Sequence, residues 1–350
     1  MTTLEELRAQ VDAGRIDEVV LALPDLAGRL QGTRLSARHF LDSTVTDGFG
    51  ACTYLLTTDV DMAVTAPSAE LDPEGTGYGD MVLVPDPATL RPLPWDPGTV
   101  LVLADARHPD GSPVQVAPRQ VLRTQVDALA AHGLVPLAGV ELEFRVFAES
   151  YAAAEAAGWS RLTPGTRRGV DYALVGMERM DALTRRLRRE TVAAGLRLES
   201  ARGECAPGQY EIVFRYDEAL AAADAAAFYK TAAKQIAAQE GMALTFMPKY
   251  DAAEGNSCHL QEFSRHDWRW YRHLALAVAE HAPLDVATVR CPVTFVAGRH
   301  DTLVDLADVR AAARSVPGAR LRTLAGTHFV PLQYPEVMRE ELQALVARER

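Results

Sequence analysis

Four carboxylates and one imidazole stand out in this 350-residue chain because of their spacing. Glu204 and Glu211 lie in Arg202–Glu211, RGECAPGQYE, on either side of a Pro-Gly pair that marks a turn before the strand-like run Tyr210–Arg215. Some sixty residues earlier, GVELEFRVF (Gly139–Phe147) carries Glu141 and Glu143 in a strongly β-prone run. Side chains two apart on a strand share a face, so both carboxylates would converge on one spot. His259 follows later, in GNSCHLQ after TFMPKYD. Four carboxylates plus an imidazole suit a pair of hard divalent cations, and bound Mg²⁺ in turn holds the phosphates of ATP. Alternating acids also describe the wet face of an antiparallel strand whose apolar face is Val140, Leu142 and Phe144.

In this order and with these flanking residues, the constellation resembles the glutamine synthetase family, nearest to its γ-glutamyl-polyamine and γ-glutamyl-amine ligase branch. VVLALPDLAGRLQGTRL is similar to the opening strands of that family's β-grasp domain, and YGDMVLVPDPATLRPLPWDPGTVLVLADA to its later strands. APRQVLRTQVDAL is similar to the entry into its catalytic domain, and the likeness runs from about residue 15 to His259. The resemblance implies an ATP-dependent ligase that uses Mg²⁺ or Mn²⁺. It would join the γ-carboxylate of glutamate to ammonia or a small amine through γ-glutamyl phosphate. Glu143, Glu204 and Glu211 match the family's metal site near the amino-acid substrate, whereas Glu141 and His259 match the one on the nucleotide phosphates. Glu254 and Gly255 match substrate-binding positions. An acid at 254 occurs in the amine-ligating branch, where it would attract a cationic amine; a solvated loop glutamate is the other reading.

The chain also departs from the family. Gln261 replaces the second histidine of a His-x-His motif, and the arginines and flap acid that follow that motif have no counterpart here. Phosphoryl transfer rests on positioning and charge neutralisation, so turnover is expected to be impaired. Beyond residue 262, PVTFVAGRHD (Pro292–Asp301) and LAGTHFVPLQYPEV (Leu324–Val337) resemble the C-terminal part of an α/β-hydrolase. There Asp301 and His328 would be two members of a nucleophilic triad. The third sits on a G-x-S-x-G elbow, and no such motif occurs in the chain, so the pair is expected to be an inactive remnant. Two other readings therefore stand beside the ligase: a hydrolase remnant, and a catalytically dead fusion or pseudoenzyme.

The fold expected is α+β. A β-grasp domain would occupy residues 15–110, a truncated glutamine synthetase catalytic domain 115–262, and a β-α-β-α fragment of α/β-hydrolase type 263–350. Strands are predicted at Glu18–Leu23, Arg29–Leu35, Thr53–Leu56, Met81–Pro85 and Val100–Ala104. Helices are predicted from Pro118 to near His132, over Glu178–Ala194, over Asp217–Glu240 with Asp217 as its cap, and over Asp267–Glu280. A net charge of −11 argues against nucleic-acid or anionic-membrane partners. Four scattered cysteines suit reduced thiols, and the acidic amphipathic N-terminus is no signal peptide. A cytoplasmic protein is expected, with ATP, glutamate and ammonia or a small amine as partners and homo-oligomerisation left open.

Overall fold

The structure is a computed structural model that describes residues 3–59, 61–64, 79–247, 250, 291–301, 305–326 and 330–348. It divides into two compact units, Met1–Arg265 and His266–Arg350.

In the first unit, β1 (Glu18–Pro24), β2 (Leu30–Ser36), β3 (Phe49–Cys52), β4 (Asp80–Pro85), β5 (Arg91–Pro92) and β6 (Thr99–Arg107) form one sheet. Its order is β2-β1-β6-β4-β3, with β5 beside β6. β1 and β2 are an antiparallel hairpin, but β1 and β6 run parallel, which requires cover on both faces. The alternation along β1 supplies it. Val19, Leu21 and Leu23 enter a core with Leu7 and Val11 of the helix Leu4–Asp12, while Ala22 enters a second core with Phe228 and Ala232. Thr3 and Glu6 close the start of that first helix as a capping box, with bonds of 3.1 and 2.7 Å. The strand predicted at Thr53–Leu56 is instead a 3₁₀ turn following β3. The turn tucks Leu56 wholly into the core, and Thr57 closes it on the Tyr54 carbonyl.

Two strands, β7 (Leu137–Ala138) and β11 (Asp217–Glu218), pair with each other. A second antiparallel sheet holds β8 (Glu143–Phe147), β9 (Leu198–Gly203), β10 (Gln209–Phe214) and β12 (Ala243–Thr245) in the order β12-β8-β10-β9. Phe144, Val146, Tyr210 and Ile212 form its inner face, packed with residues of the helices Asp181–Ala193 and Ala219–Gln239. The latter helix is alanine-rich. Its small Ala222, Ala232, Ala233 and Ala237 are buried and allow close backbone approach, while Phe228 and Tyr229 fill the remaining core. Burying one such ring is worth on the order of 2–3 kcal/mol. Asp217 does not cap this helix, because its residue pairs in β11 and its carboxylate bonds Arg197 at 2.6 Å. The helix starts at Ala219, whose N–H donates to the Pro136 carbonyl at 3.0 Å.

Arg119, only 4% exposed, joins this helix to the first sheet. Its guanidinium donates twice to Asp224 at 2.9 Å, to Asp86 at 2.9 Å and to Asp105 at 2.5 Å. Pro118 opens the helix that carries Arg119, and Gly133 (φ 74°) follows its end.

The second unit has β13 (Thr294–Gly298) and β14 (Arg320–Leu324) paired in parallel, with the helix Leu306–Ser315 between them in sequence and Pro335–Arg348 after them. Asp305 caps the first of these helices through the Ala307 N–H at 2.8 Å. The helix expected over Asp267–Glu280 lies outside the described residues. No described helix is long and apolar enough to cross a membrane.

Candidate metal centre

RGECAPGQYE folds as the β9–β10 hairpin. Pro207 and Gly208 (φ 69°) occupy its turn, which the Gln209 N–H closes on the Ala206 carbonyl at 3.0 Å. Proline followed by a left-handed glycine is the type II pattern. Gly208 is pinned further, since its N–H donates to Thr166 Oγ1 at 2.8 Å and its carbonyl accepts from the Val146 N–H at 2.9 Å. A Cβ there would lie 2.7 Å from the Val146 carbonyl oxygen. The turn thereby fixes β9 and β10 against β8.

That register brings the acids together. Glu211 stands opposite Glu143 of β8 on one side and opposite Arg202 of β9 on the other. Tyr210 and Ile212 point into the core, so Glu211 lies on the opposite face, yet it is covered to 2% exposure. Arg202 Nε donates to Glu204 Oε1 at 3.0 Å, and Arg202 Nη2 contacts Glu211 Oε2. The Gln209 amide donates to Glu143 Oε2. Asp171 joins from the segment before the helix Leu174–Met177, and Cys205 Sγ lies 3.4 Å from its Oδ2. Ligand atoms of Asp171, Glu204 and Cys205 all fall within 4.8 Å of one another.

Glu204 and Glu211 hold their protons more tightly than free carboxylates do. Burial is the main cause for Glu204, with Glu143 and Asp171 adding to it and Arg202 opposing. Burial also dominates at Glu211; Arg202 opposes it, and Glu204, Glu141 and Glu143 reinforce it. Crowded carboxylates that resist ionisation are what a divalent cation relieves, and their oxygens are the donors hard cations take. The donor chemistry therefore suits such an ion, although among the described residues the ligand atoms that already converge within 4.8 Å are those of Asp171, Glu204 and Cys205 rather than of Glu143, Glu204 and Glu211.

The structure places the sequence candidates unequally. Glu143, Glu204 and Glu211 share one neighbourhood. Glu141 precedes β8, which begins at Glu143 rather than Gly139, so it is not a strand residue, although its charge is felt at Glu211. The backbone of 139–142 instead leads in from β7, and Gly139 sits against Tyr216. His259, Glu254, Gly255 and His328 lie outside the described residues, and Asp301 follows β13 half-buried. Arg202, Asp171 and Tyr172 were missed in sequence. Tyr172 stacks on Arg202, with the guanidinium carbon 5.4 Å from its ring centre. Arg202 opens the acidic motif itself; Asp171 and Tyr172 sit in a stretch without periodicity.

Residues 115–263 match the catalytic domain of glutamine synthetase. This region is glutamine synthetase-like. Over 277 residues the chain is 52% identical to the gamma-glutamylethanolamide synthetase GlnA4 of Streptomyces coelicolor, covering 79% of this chain and 57% of that protein. Over 257 residues it is 34% identical to a glutamate–isopropylamine ligase of Pseudomonas, covering 73% and 56%. A solved GmaS/ADP complex aligns with a TM-score of 0.60 at 26% identity, covering 73% of this chain and 54% of that one. The chain thus spans about half the length of the curated relatives it matches. The glutamine synthetase region contains every member of the acid cluster.

Proposed function

We propose that this chain is a glutamine synthetase-type ATP-dependent ligase. It would join the γ-carboxylate of glutamate to a small amine through γ-glutamyl phosphate, with impaired turnover. The juxtaposition of Glu143 on β8, Glu211 on β10 and Glu204 just past the end of β9 carries the reading. Those three residues would hold one Mg²⁺ or Mn²⁺, and Glu141 with His259 a second. Bound there, the cations supply charge neutralisation for the phosphates of ATP. The protein's own part is positional: the pinned Pro207-Gly208 turn holds Glu204 and Glu211, and β8 presents Glu143 beside them. Amines are favoured over ammonia because the proteins similar to this chain include ligases of ethanolamine and isopropylamine, and because Glu254 would attract a cationic acceptor. Turnover is impaired because the match to the family ends at residue 263, before the arginines and flap acid expected of it. Residues 263–350 are read as an α/β-hydrolase-type fragment in which Asp301 and His328 lack a nucleophile, and a cytoplasmic location fits the scattered cysteines, of which Cys52, Cys205 and Cys291 are in no disulfide.

The test is γ-glutamyl amide formation from glutamate, ATP and a panel including ethanolamine and isopropylamine. The expected product signal is lost in Glu211→Gln and stays well below the usual enzyme range of roughly 1–10³ s⁻¹. A rate inside that range contradicts the impairment, and product that persists in Glu211→Gln contradicts the site.

A further inference from the structure

Arg202 stands where a cation shared by Glu204 and Glu211 has to stand. Its Nε holds Glu204 at 3.0 Å, its Nη2 contacts Glu211, and the register sets it directly across from Glu211. Glu143 flanks Glu211 from the other strand, and Asp171 reaches Glu204 from the side. Without a positive charge between them these acids would repel, and a buried, uncompensated carboxylate such as Glu211 is costly. The guanidinium is also placed to leave. It is about a quarter exposed, at 26%, and one face already rests on the ring of Tyr172, itself 70% exposed. Tyr172 is held there by its N–H on the Gly203 carbonyl at 3.3 Å, next in sequence to Arg202. A guanidinium stacks well on an aromatic face, so an alternative seat lies within reach of the first.

We propose that Arg202 is the resident counter-ion of the acid cluster and competes with the divalent cation for Glu204 and Glu211. The proposal rests on the metal-site reading above. Arg202 is then a positioning residue: it keeps the carboxylates gathered in the metal-free protein and gives up its two contacts when a divalent cation enters. Two cations cannot both sit against the same carboxylate oxygens without repulsion, so removing one strengthens the hold on the other.

The experiment is Mn²⁺ binding, followed by paramagnetic resonance or calorimetry, on the full chain and on Arg202→Gln. Arg202→Lys, which keeps the charge but loses the fork, guards against a misfolded variant, and Arg197→Gln, just before the same strand and paired with Asp217, controls for general loss of positive charge. Arg202→Gln is expected to bind Mn²⁺ on the order of tenfold more tightly, the weight of one charge-assisted hydrogen bond. Arg202→Lys should fall between it and the parent, Arg197→Gln should match the parent, and metal-free Arg202→Gln should melt lower. A merely structural arginine would lower the melting temperature without tightening Mn²⁺. If the parent binds Mn²⁺ and Arg202→Gln binds it equally or less well, the competition is overturned while the metal site stands. If neither protein binds Mn²⁺, both are overturned.

Discussion

At Glu211 a carboxylate is buried beside Glu143 and Glu204, with Arg202 as partial compensation. Burial comes first among the causes that raise its pKa, so the folded chain holds the charged form less well than the unfolded chain does. For an acid with a raised folded pKa, the charge lowers stability at neutral pH, and that loss disappears as the pH falls through the folded value. Metal-free Glu211→Gln is therefore expected to melt higher than the parent at pH 7. The gap should close on acidification toward the ordinary glutamate range near ~4.3. About 1 kcal/mol moves the midpoint by roughly 2–4 °C at this size, so calorimetric scans at several pH values resolve it. A lower melting temperature at pH 7 would mean that the Arg202 contact outweighs burial and repulsion. The same substitution removes a ligand, so Mn²⁺ should no longer raise its melting temperature.

At the scale of elements, most strands and helices were legible because their signals are local. β1 and the helix Pro118–Ala130 occur where the sequence predicts them, and the Pro207-Gly208 turn was readable from its two residues. What escaped was set by distant contact. The path of 164–173 carries no periodic pattern, and it is held where a Cβ on Gly169 would lie 1.8 Å from the Cys205 carbonyl oxygen. That packing delivers Asp171 and Tyr172 to the cluster, which no spacing rule could reveal. Asp217 looked like a cap but found a strand partner, and Glu141 fell short of its strand. The Arg119 network was likewise invisible, because its three aspartates are scattered from Asp86 to Asp224. Arg119→Ala strands those carboxylates, and unpairing a buried ion pair costs about 3–5 kcal/mol. Urea unfolding should show that loss as a lower midpoint at constant slope, whereas a loss under about 1 kcal/mol would place the network among solvent-screened pairs.

At the scale of the whole molecule, the two units differ in how much core they own. Among the described residues, 1–265 contain the six-stranded and four-stranded sheets, the β7–β11 pair and their helices, whereas 266–350 contribute one pair of parallel strands, β13 and β14. Two strands give too little core for independent stability. Residues 266–350 expressed alone should lack a cooperative thermal transition, and residues 1–265 alone should retain one; a sharp transition in the smaller piece would contradict this. The larger unit also contains the acid cluster, and on that cluster the ligase reading stands or falls. The decisive measurement is calorimetric titration of the full chain with Mn²⁺, beside the double variant Glu204→Gln/Glu211→Gln. Saturable binding by the parent with proton release, because acidic ligands must ionise, and its loss in the double variant is the expected result. No binding by the parent, or equal binding by both proteins, would contradict a metal centre at Glu143, Glu204 and Glu211.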